Sequence, residues 1–433
     1  VVEYLYSQLF PFDFNKTYWI AYSGGIDSHV LLHAMSQLRR QNPQLILHAL
    51  HVHHGLSRYA DDWVEHCRVI CSDLNINFSC EYILEQPSPG ESIEAWAREA
   101  RYSIFAHRLA IEEVMLTAHN QDDQAETVLL QLLRGAGPKG LAAMPARQPL
   151  GQAYLLRPFL NQSRKALQHY ADQHSLKWID DDSNDEPRFD RNFLRQKVLP
   201  VLKERWPEAD KNISRSASHC AESIANLSDL AQLDLVQELS SSLSLIQLRA
   251  LSPRRQRNLL RYWLSSLGCQ MPSTKQMQAI QQDLIESRAD SQPLICWGRW
   301  SLRRYRQNLI LETAEQASFS SWSPIKWDLS TPLNLPHNLG QLSAKRQTPG
   351  QLSSAINLQE LSIRFRQGGE RCQPVGKKYS SPLKKLMQEW AIPPWRRGLV
   401  PLLFHQDQLA AVIPYCICQP FAAKPSEEAW IIY

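Results

Sequence analysis

The chain lacks several features that would assign it quickly. It has no run of about 18 apolar residues, so no membrane-spanning helix is expected. None of its 9 cysteines forms a C-x-x-C pair, and the number is odd. Cys67 and Cys71 stand four apart, Cys416 and Cys418 two apart. This argues against structural zinc, an iron–sulfur cluster or a disulfide scaffold, and for a reducing compartment. The opening Val1-Val2-Glu3 has no basic stretch leading into an apolar one. No secretory signal is therefore expected, and the cytoplasm is the expected location. Charge is nearly balanced: 47 Lys and Arg against 43 Asp and Glu, formally +4. A small global excess says little about partners. The G-x-x-x-x-G-K-S/T phosphate loop is absent, as is the third glycine of the dinucleotide fingerprint.

What is present begins with Tyr22-Ser23-Gly24-Gly25-Ile26-Asp27-Ser28. It follows a strand-like run, Tyr18-Trp19-Ile20-Ala21, and precedes the helical pattern His29-Val30-Leu31-Leu32-His33-Ala34-Met35. Gly24 and Gly25 permit a tight turn, and the N–H groups of the next helix point at an anion. Ser23 and Ser28 add hydroxyl donors. Asp27 beside phosphate calls for a cation, hence Mg²⁺ with ATP. The segment resembles the pyrophosphate loop of the N-type ATP pyrophosphatases, which cleave ATP between its α and β phosphates. A turn that merely needed small residues is the alternative reading of these residues alone.

Strand candidates Tyr18–Tyr22, Leu45–His53, Phe78–Leu84 and Val114–Ala118 alternate with helix candidates Ser28–Leu38, Asp61–Leu74 and Glu91–Leu109. The alternation predicts a parallel α/β sheet with ligands beyond its C-terminal strand ends. Three motifs fall at such ends: the Ser23–Ser28 loop, His51-Val52-His53-His54-Gly55-Leu56, and His119-Asn120. The histidines lack a completing carboxylate or cysteine, so adenine contact near His53 is favoured over metal. In Glu91–Tyr102, Ile93, Ala97 and Ala100 predict the buried stripe, continued by Ile104, and Glu94 with Arg98 a surface pair. Thr117–Thr127 contains Asp122, Asp123 and Glu126, spaced so that one helical face presents two carboxylates. They are helix-start acids or, with Asp27, a divalent-cation site. The pyrophosphatase resemblance implies a nucleotide role for Arg98 and Arg101. Many relatives have His-His where this chain has His119-Asn120, so a proton-acceptor role for the second histidine does not transfer.

The Arg134-Gly135-Ala136-Gly137-Pro138-Lys139-Gly140-Leu141 loop after Asp122-Asp123-Gln124-Ala125-Glu126-Thr127 is similar to that of the bacterial tRNA(Ile)-lysidine synthetases. Further on, Asp180-Asp181-Asp182-Ser183-Asn184 precedes Arg188, Arg191 and Arg195, which share a helical face. The same family has this pair, facing ATP or tRNA. Residues 210–315 read as helical. Trp297, Trp300 and Tyr305 interleave with Arg299, Arg303, Arg304 and Arg306, either an RNA patch or the edge of a strand pair. Residues 316–360 read as loops and short strands. From Leu361 to Val400, nine cations face two anions, a net of +7 against −3 for the rest. That concentration is the footprint of a nucleic-acid binder. Its Lys377–Lys385 segment and Ile392-Pro393-Pro394-Trp395-Arg396-Arg397 turn also resemble the synthetase family.

The expected fold is thus α/β: a parallel Rossmann-like sheet with an N-type ATP pyrophosphatase loop, then a helical domain and a small mixed α+β C-terminal domain. Boundaries are expected at 1–209, 210–315 and 316–433. The resemblance implies an ATP-dependent ligase that joins free L-lysine to C2 of the wobble cytidine in CAU-anticodon isoleucine tRNA. ATP would be held by Ser23, Gly24, Gly25, Ile26, Asp27, Ser28, His53 and Arg98, and Mg²⁺ by Asp27 and Asp123. Asp27, His119, Asp122, Asp123, Glu126, Arg191 and Arg195 form the expected catalytic set. Lys377, Lys378, Lys384, Lys385, Arg396 and Arg397 are expected to bind tRNA. A homodimer is left open. The alternatives are a thiolase-like tRNA modifier, a small-molecule amidating ligase and a non-enzymatic RNA binder.

Overall fold

The computed structural model describes residues 1–9, 16–55, 57–88, 90, 92–180, 190–286, 293–313, 323–336, 339–424 and 427–433. The chain packs as two compact units, Val1–Leu230 and Ala231–Tyr433.

The first unit opens with α1 (Val2–Leu9), then β1 (Thr17–Ala21), α2 (Ile26–Gln41), β2 (Ile46–His53), α3 (Ala60–Asp73), β3 (Asn77–Tyr82), α4 (Ile93–Arg108) and β4 (Val114–Leu116). It continues through α5 (Gln121–Leu133), α6 (Pro138–Leu141), β5 (Arg147–Leu150), β6 (Ala153–Leu156) and α7 (Arg164–Gln173). After residues outside the description come α8 (Asp190–Phe193), a π-helical turn Leu194–Val198, α9 (Leu199–Arg205) and α10 (Ala209–Asp234). The sheet order is β3-β2-β1-β4-β6-β5. All neighbours are parallel except the edge pair β5–β6.

Alternation along β1 explains the layering. Tyr18 and Ile20 enter the core formed with α1, α2 and α7. Trp19 enters the opposite core with Phe105, Leu109 and Met115. Both faces of the sheet are therefore covered, as a parallel sheet requires. Strand order reverses between β1 and β4, so the loops after these two strands flank the crevice where such sheets bind ligands. The expected stripe on α4 is rotated: Ile93 is exposed, and Trp96, Ala97 and Phe105 are buried. The bulky Trp96 and Phe105 set the face.

The second unit holds helices Leu245–Arg249, Pro253–Ser266 and Thr274–Ala279 around Trp263, together with an antiparallel sheet built from Ser242–Ser244, Leu294–Trp297, Trp300–Tyr305 and Asn308–Thr313. The helical expectation for 210–315 thus needs a sheet added to it. Trp297 is buried at its end, and Arg304 is buried within it, as the strand-pair reading of this stretch requires. Beyond it, Ile325–Lys326, Leu361–Arg364, Leu402–His405, Gln408–Val412 and Cys416–Ile417 make an antiparallel sheet. Its core takes Leu383, Leu386 and Met387 from the helix Leu383–Glu389. Among the described residues no helix is long and apolar enough to cross a membrane.

Candidate active site

The loop between β1 and α2 is built around Gly24. Its φ is +87°, and an added Cβ would meet the Ile179 side chain at 2.5 Å. Ile179 N–H also donates to the Gly24 carbonyl at 3.0 Å. Ser28 Oγ donates to the Gly25 carbonyl at 2.9 Å and lies 3.0 Å from Ser23 Oγ. Gly25 is the N-cap of α2 and supplies no side chain to it. The first N–H groups of α2 therefore keep their affinity for an anion.

Asp27 stands in the first turn of α2. Its Oδ1 is buried without a hydrogen-bond partner. Burial pushes its carboxyl up to about 6, and Asp123 adds to this, while Arg164 and Arg195 oppose it. A buried, partnerless carboxylate oxygen near a second carboxylate fits a divalent cation. Mg²⁺ is commonly held by one or two carboxylates, with water and substrate phosphates completing its shell. Asp27 and Asp123 match that requirement. Among the described residues no group of three or more His, Cys, Asp or Glu forms a dedicated metal cage.

Across the crevice, α5 begins with a capping box. Asn120 Oδ1 accepts from Asp123 N–H at 3.1 Å, and Asp123 Oδ2 accepts from Asn120 N–H at 2.9 Å. Asn120 is 1% exposed. Its place in the signature is thus a helix cap, a role asparagine fills well. Asp123 Oδ1 accepts from Arg191 at 3.1 Å and Arg195 at 3.2 Å. Glu126 is fully buried. It accepts from Arg191 Nε at 2.7 Å and Arg195 Nε at 2.6 Å. Burial works to lower the pKa of Arg191, but Asp123 and Glu126 outweigh it and raise it. Both guanidinium groups therefore remain charged and fixed in orientation. The π-helical turn after α8 carries Arg195, a kind of irregularity frequent at functional sites.

Asp122 points elsewhere. Its Oδ2 accepts from Arg164 N–H at 2.8 Å, and its Oδ1 lies 3.3 Å from Lys203 Nζ. Lys203 also pairs with Asp210. His119 Nδ1 is 2.9 Å from Thr117 Oγ1. Burial first, then Arg157, Arg191, Arg98 and Arg101, hold its pKa well below the usual imidazole value, so His119 is neutral. Arg98 is exposed and lies over the Tyr102 ring at 4.9 Å. Arg101 donates to His54 at 3.2 Å. His53 Nε2 lies 3.3 Å from Asp61 Oδ1, and its ring packs on Tyr82. Asp181, Asp182, Ser183, Asn184 and Arg188 lie outside the described residues. Sequence reasoning missed Lys203, Asp210 and the buried Arg157. No motif marks them, and only folding brings them near the signature.

Three family models match this chain. They are a PP-loop domain over residues 2–202, a TilS substrate binding domain over 243–310 and a TilS substrate C-terminal domain over 361–433. A tRNA(Ile)-lysidine synthase of Coxiella burnetii is 48% identical over 96% of this chain and 92% of its own. The chain belongs to the tRNA(Ile)-lysidine synthase family. Relatives with the same name in Serratia proteamaculans and Alkalilimnicola ehrlichii are each 42% identical, over 96% and 94% of this chain and 94% and 92% of theirs. As a family member the chain is an ATP-using ligase that modifies isoleucine tRNA. The thiolase, small-molecule ligase and non-enzymatic readings are not favoured.

Within the segment matched by the TilS C-terminal domain, the basic residues divide. Lys384 and Lys385 are exposed on the helix Leu383–Glu389. Lys377 pairs with Glu389 at 2.5 Å, and Lys378 lies over the Tyr379 ring at 5.5 Å. Arg396 pairs with the buried Glu312, and Arg397 Nε donates to the Ile392 carbonyl at 3.0 Å.

Proposed function

We propose that the chain joins the ε-amine of free L-lysine to C2 of the wobble cytidine, position 34, of CAU-anticodon isoleucine tRNA. ATP first adenylates the C2 oxygen and pyrophosphate leaves. The lysine amine then attacks C2 and AMP leaves. The observation that carries this reading is the cluster of Asp27, Asp123 and Glu126 with Arg191 and Arg195 at the strand-reversal crevice.

In this reading the ATP phosphates meet the N–H groups of α2 and the hydroxyls of Ser23 and Ser28. Gly24, Gly25 and Ile26 supply close backbone, and His53 and Arg98 flank the nucleoside. Mg²⁺, held by Asp27 and Asp123, supplies positive charge against phosphate oxygens when bound. Glu126 holds Arg191 and Arg195 in place, so their remaining N–H donors meet the reacting phosphate without reorganisation. The lysine ε-ammonium must lose a proton before it can attack. His119, held neutral by burial and by the surrounding arginines, is a poor proton store, so the proton passes to one of the carboxylates of Asp122, Asp123 or Glu126. Lys377, Lys378, Lys384, Lys385, Arg396 and Arg397 serve the tRNA body, with Lys384 and Lys385 the freest to contact phosphate. In this reading the functional segments are 1–209, 210–315 and 316–433, and the enzyme works in the cytoplasm.

The test combines ATP, Mg²⁺, labelled lysine and tRNA transcripts. Label is expected in the CAU-anticodon isoleucine tRNA and absent from methionine tRNA, which carries the same anticodon. Comparable labelling of both would refute the assigned specificity. A product mass without added lysine would refute the reaction.

A further inference from the structure

Three thiols meet in the second compact unit, and none of them is assigned a part in the ligation. The backbone brings them together. Val375 N–H donates to the Ile417 carbonyl at 3.3 Å and Gln419 N–H to the Gln373 carbonyl at 2.7 Å. Pro374 and Cys418 form an antiparallel bridge. This pairing places Cys372 Sγ 2.6 Å from Cys418 Sγ and 3.7 Å from Cys416 Sγ. Cys372 and Cys418 are 2% and 3% exposed, and Cys416 is half-buried. All three are free thiols within or against the apolar core that includes Leu383 and Leu386.

A single buried cysteine is ordinary packing, a small hydrophobe with a weak donor. Two thiols converging on the sulfur of a third, from paired backbone segments, have a chemistry of their own. The Cys416 thiol is raised by its contact with Cys372 and by burial. At Cys372 the contact with Cys416 works downward, yet the Cys418 contact and burial prevail and push the thiol up to about 12. Cys372 and Cys416 are therefore protonated and slow to react, so oxidation must enter where solvent reaches the cluster.

We propose that Cys372 and Cys418 form a reversible disulfide, with Cys416 as the thiol through which a peroxide delivers oxidising equivalents. Hydrogen peroxide oxidises Cys416 to the sulfenic acid and is reduced to water. The Cys372 sulfur attacks the sulfenic sulfur, a second water leaves, and a Cys372–Cys416 disulfide forms. Cys418 then gives up its proton and attacks the Cys372 sulfur, and Cys416 leaves and is reprotonated. Two thiols have given up two hydrogens in total, and one peroxide has become two waters. The product ties the strand Arg371–Cys372 to the end of the strand Cys416–Ile417. It thereby anchors the root of the loop that carries Lys377 and Lys378.

The folded, reduced full-length chain is treated with hydrogen peroxide, its remaining thiols are blocked, and it is digested without reductant. Mass spectrometry is expected to find the Cys372 peptide joined to the peptide carrying Cys416 and Cys418. Fragmentation should assign the bond to Cys418, and dithiothreitol should reverse it. Cys416→Ser should form the same bond more slowly, and Cys418→Ser should accumulate the Cys372–Cys416 bond. Cys372→Ser should form neither. The proposal falls if the wild-type chain, still folded by circular dichroism, carries the blocking group on all three sulfurs under peroxide that oxidises a control dithiol. It falls equally if the bond appears only in denaturant. An unchanged rate in Cys416→Ser would remove Cys416 from the route.

Discussion

At Asp27 a carboxylate is kept where its charge is poorly solvated. One oxygen has no partner, and burial with Asp123 pushes the group up to about 6. A residue kept only for stability would not be arranged this way, because the site works against its ionised form. Asp27→Ala should therefore leave the melting temperature unchanged or higher. Pyrophosphate release should fall by about 10²–10³, the scale of losing a key electrostatic group from an active site, while tRNA affinity stays near wild type. Near-normal pyrophosphate release would exclude the cation role. Asn120 presents the reverse case, a signature residue with a structural task. Asn120→Ala removes the α5 cap and should cost about 1 kcal/mol, whereas Asn120→Asp keeps an acceptor for the Asp123 N–H. Thermal melts of the two variants measure the difference, and equal losses would show that the cap contributes nothing.

Among the elements, α2 both presents the phosphate loop and carries the buried His29. His29 is 2% exposed. Burial, then His66 and His33, lower its pKa to about 4. The folded chain thus binds fewer protons than the unfolded chain between about pH 6.5 and 4. The stability this neutral imidazole supports is complete above that window and is lost as pH falls through it. For one histidine the slope reaches at most about 1.4 kcal/mol per pH unit. Denaturant titrations between about pH 7 and 5 should show His29→Gln less acid-sensitive than wild type. Parallel curves for the two would assign the proton uptake elsewhere. The same helix was legible in the sequence because its glycines, serines and apolar run are contiguous, and β1, β2 and the start of α5 were legible for that reason too. The sequence did not reveal the rotated face of α4, since Trp96 and Phe105 choose it through packing against the sheet. Nor did it reveal that Arg191 and Arg195 close on Asp123 and Glu126. Those pairs join residues more than sixty positions apart. Strand β5 escaped notice because Arg147-Gln148-Pro149-Leu150 has little strand character, and pairing with β6 makes it one.

For the whole molecule, the ATP loop and the exposed lysines lie in different compact units, so binding and chemistry should separate by mutation. Lys384 and Lys385 are exposed on a helix whose Leu383, Leu386 and Met387 are fully buried. Their ammonium groups contribute nothing to that core, so replacing both with glutamine should leave the fold intact. If they contact tRNA phosphates, they supply affinity and position but read no base. Removing each lysine–phosphate interaction should lower the slope of log affinity against log salt by about 0.7 to 0.9. The double variant should bind tRNA more weakly at low salt, approach wild type as salt rises, and keep its ATP affinity. Arg396→Gln should behave differently. It leaves the buried Glu312 without its ion-pair partner, so it should lower the melting temperature as well as the salt slope. An anticodon stem-loop lacks the tRNA body, so the lysine substitutions should barely change its affinity. An unchanged salt slope for full-length tRNA, in a double variant that melts like wild type, would mean that the tRNA body rests on some other surface.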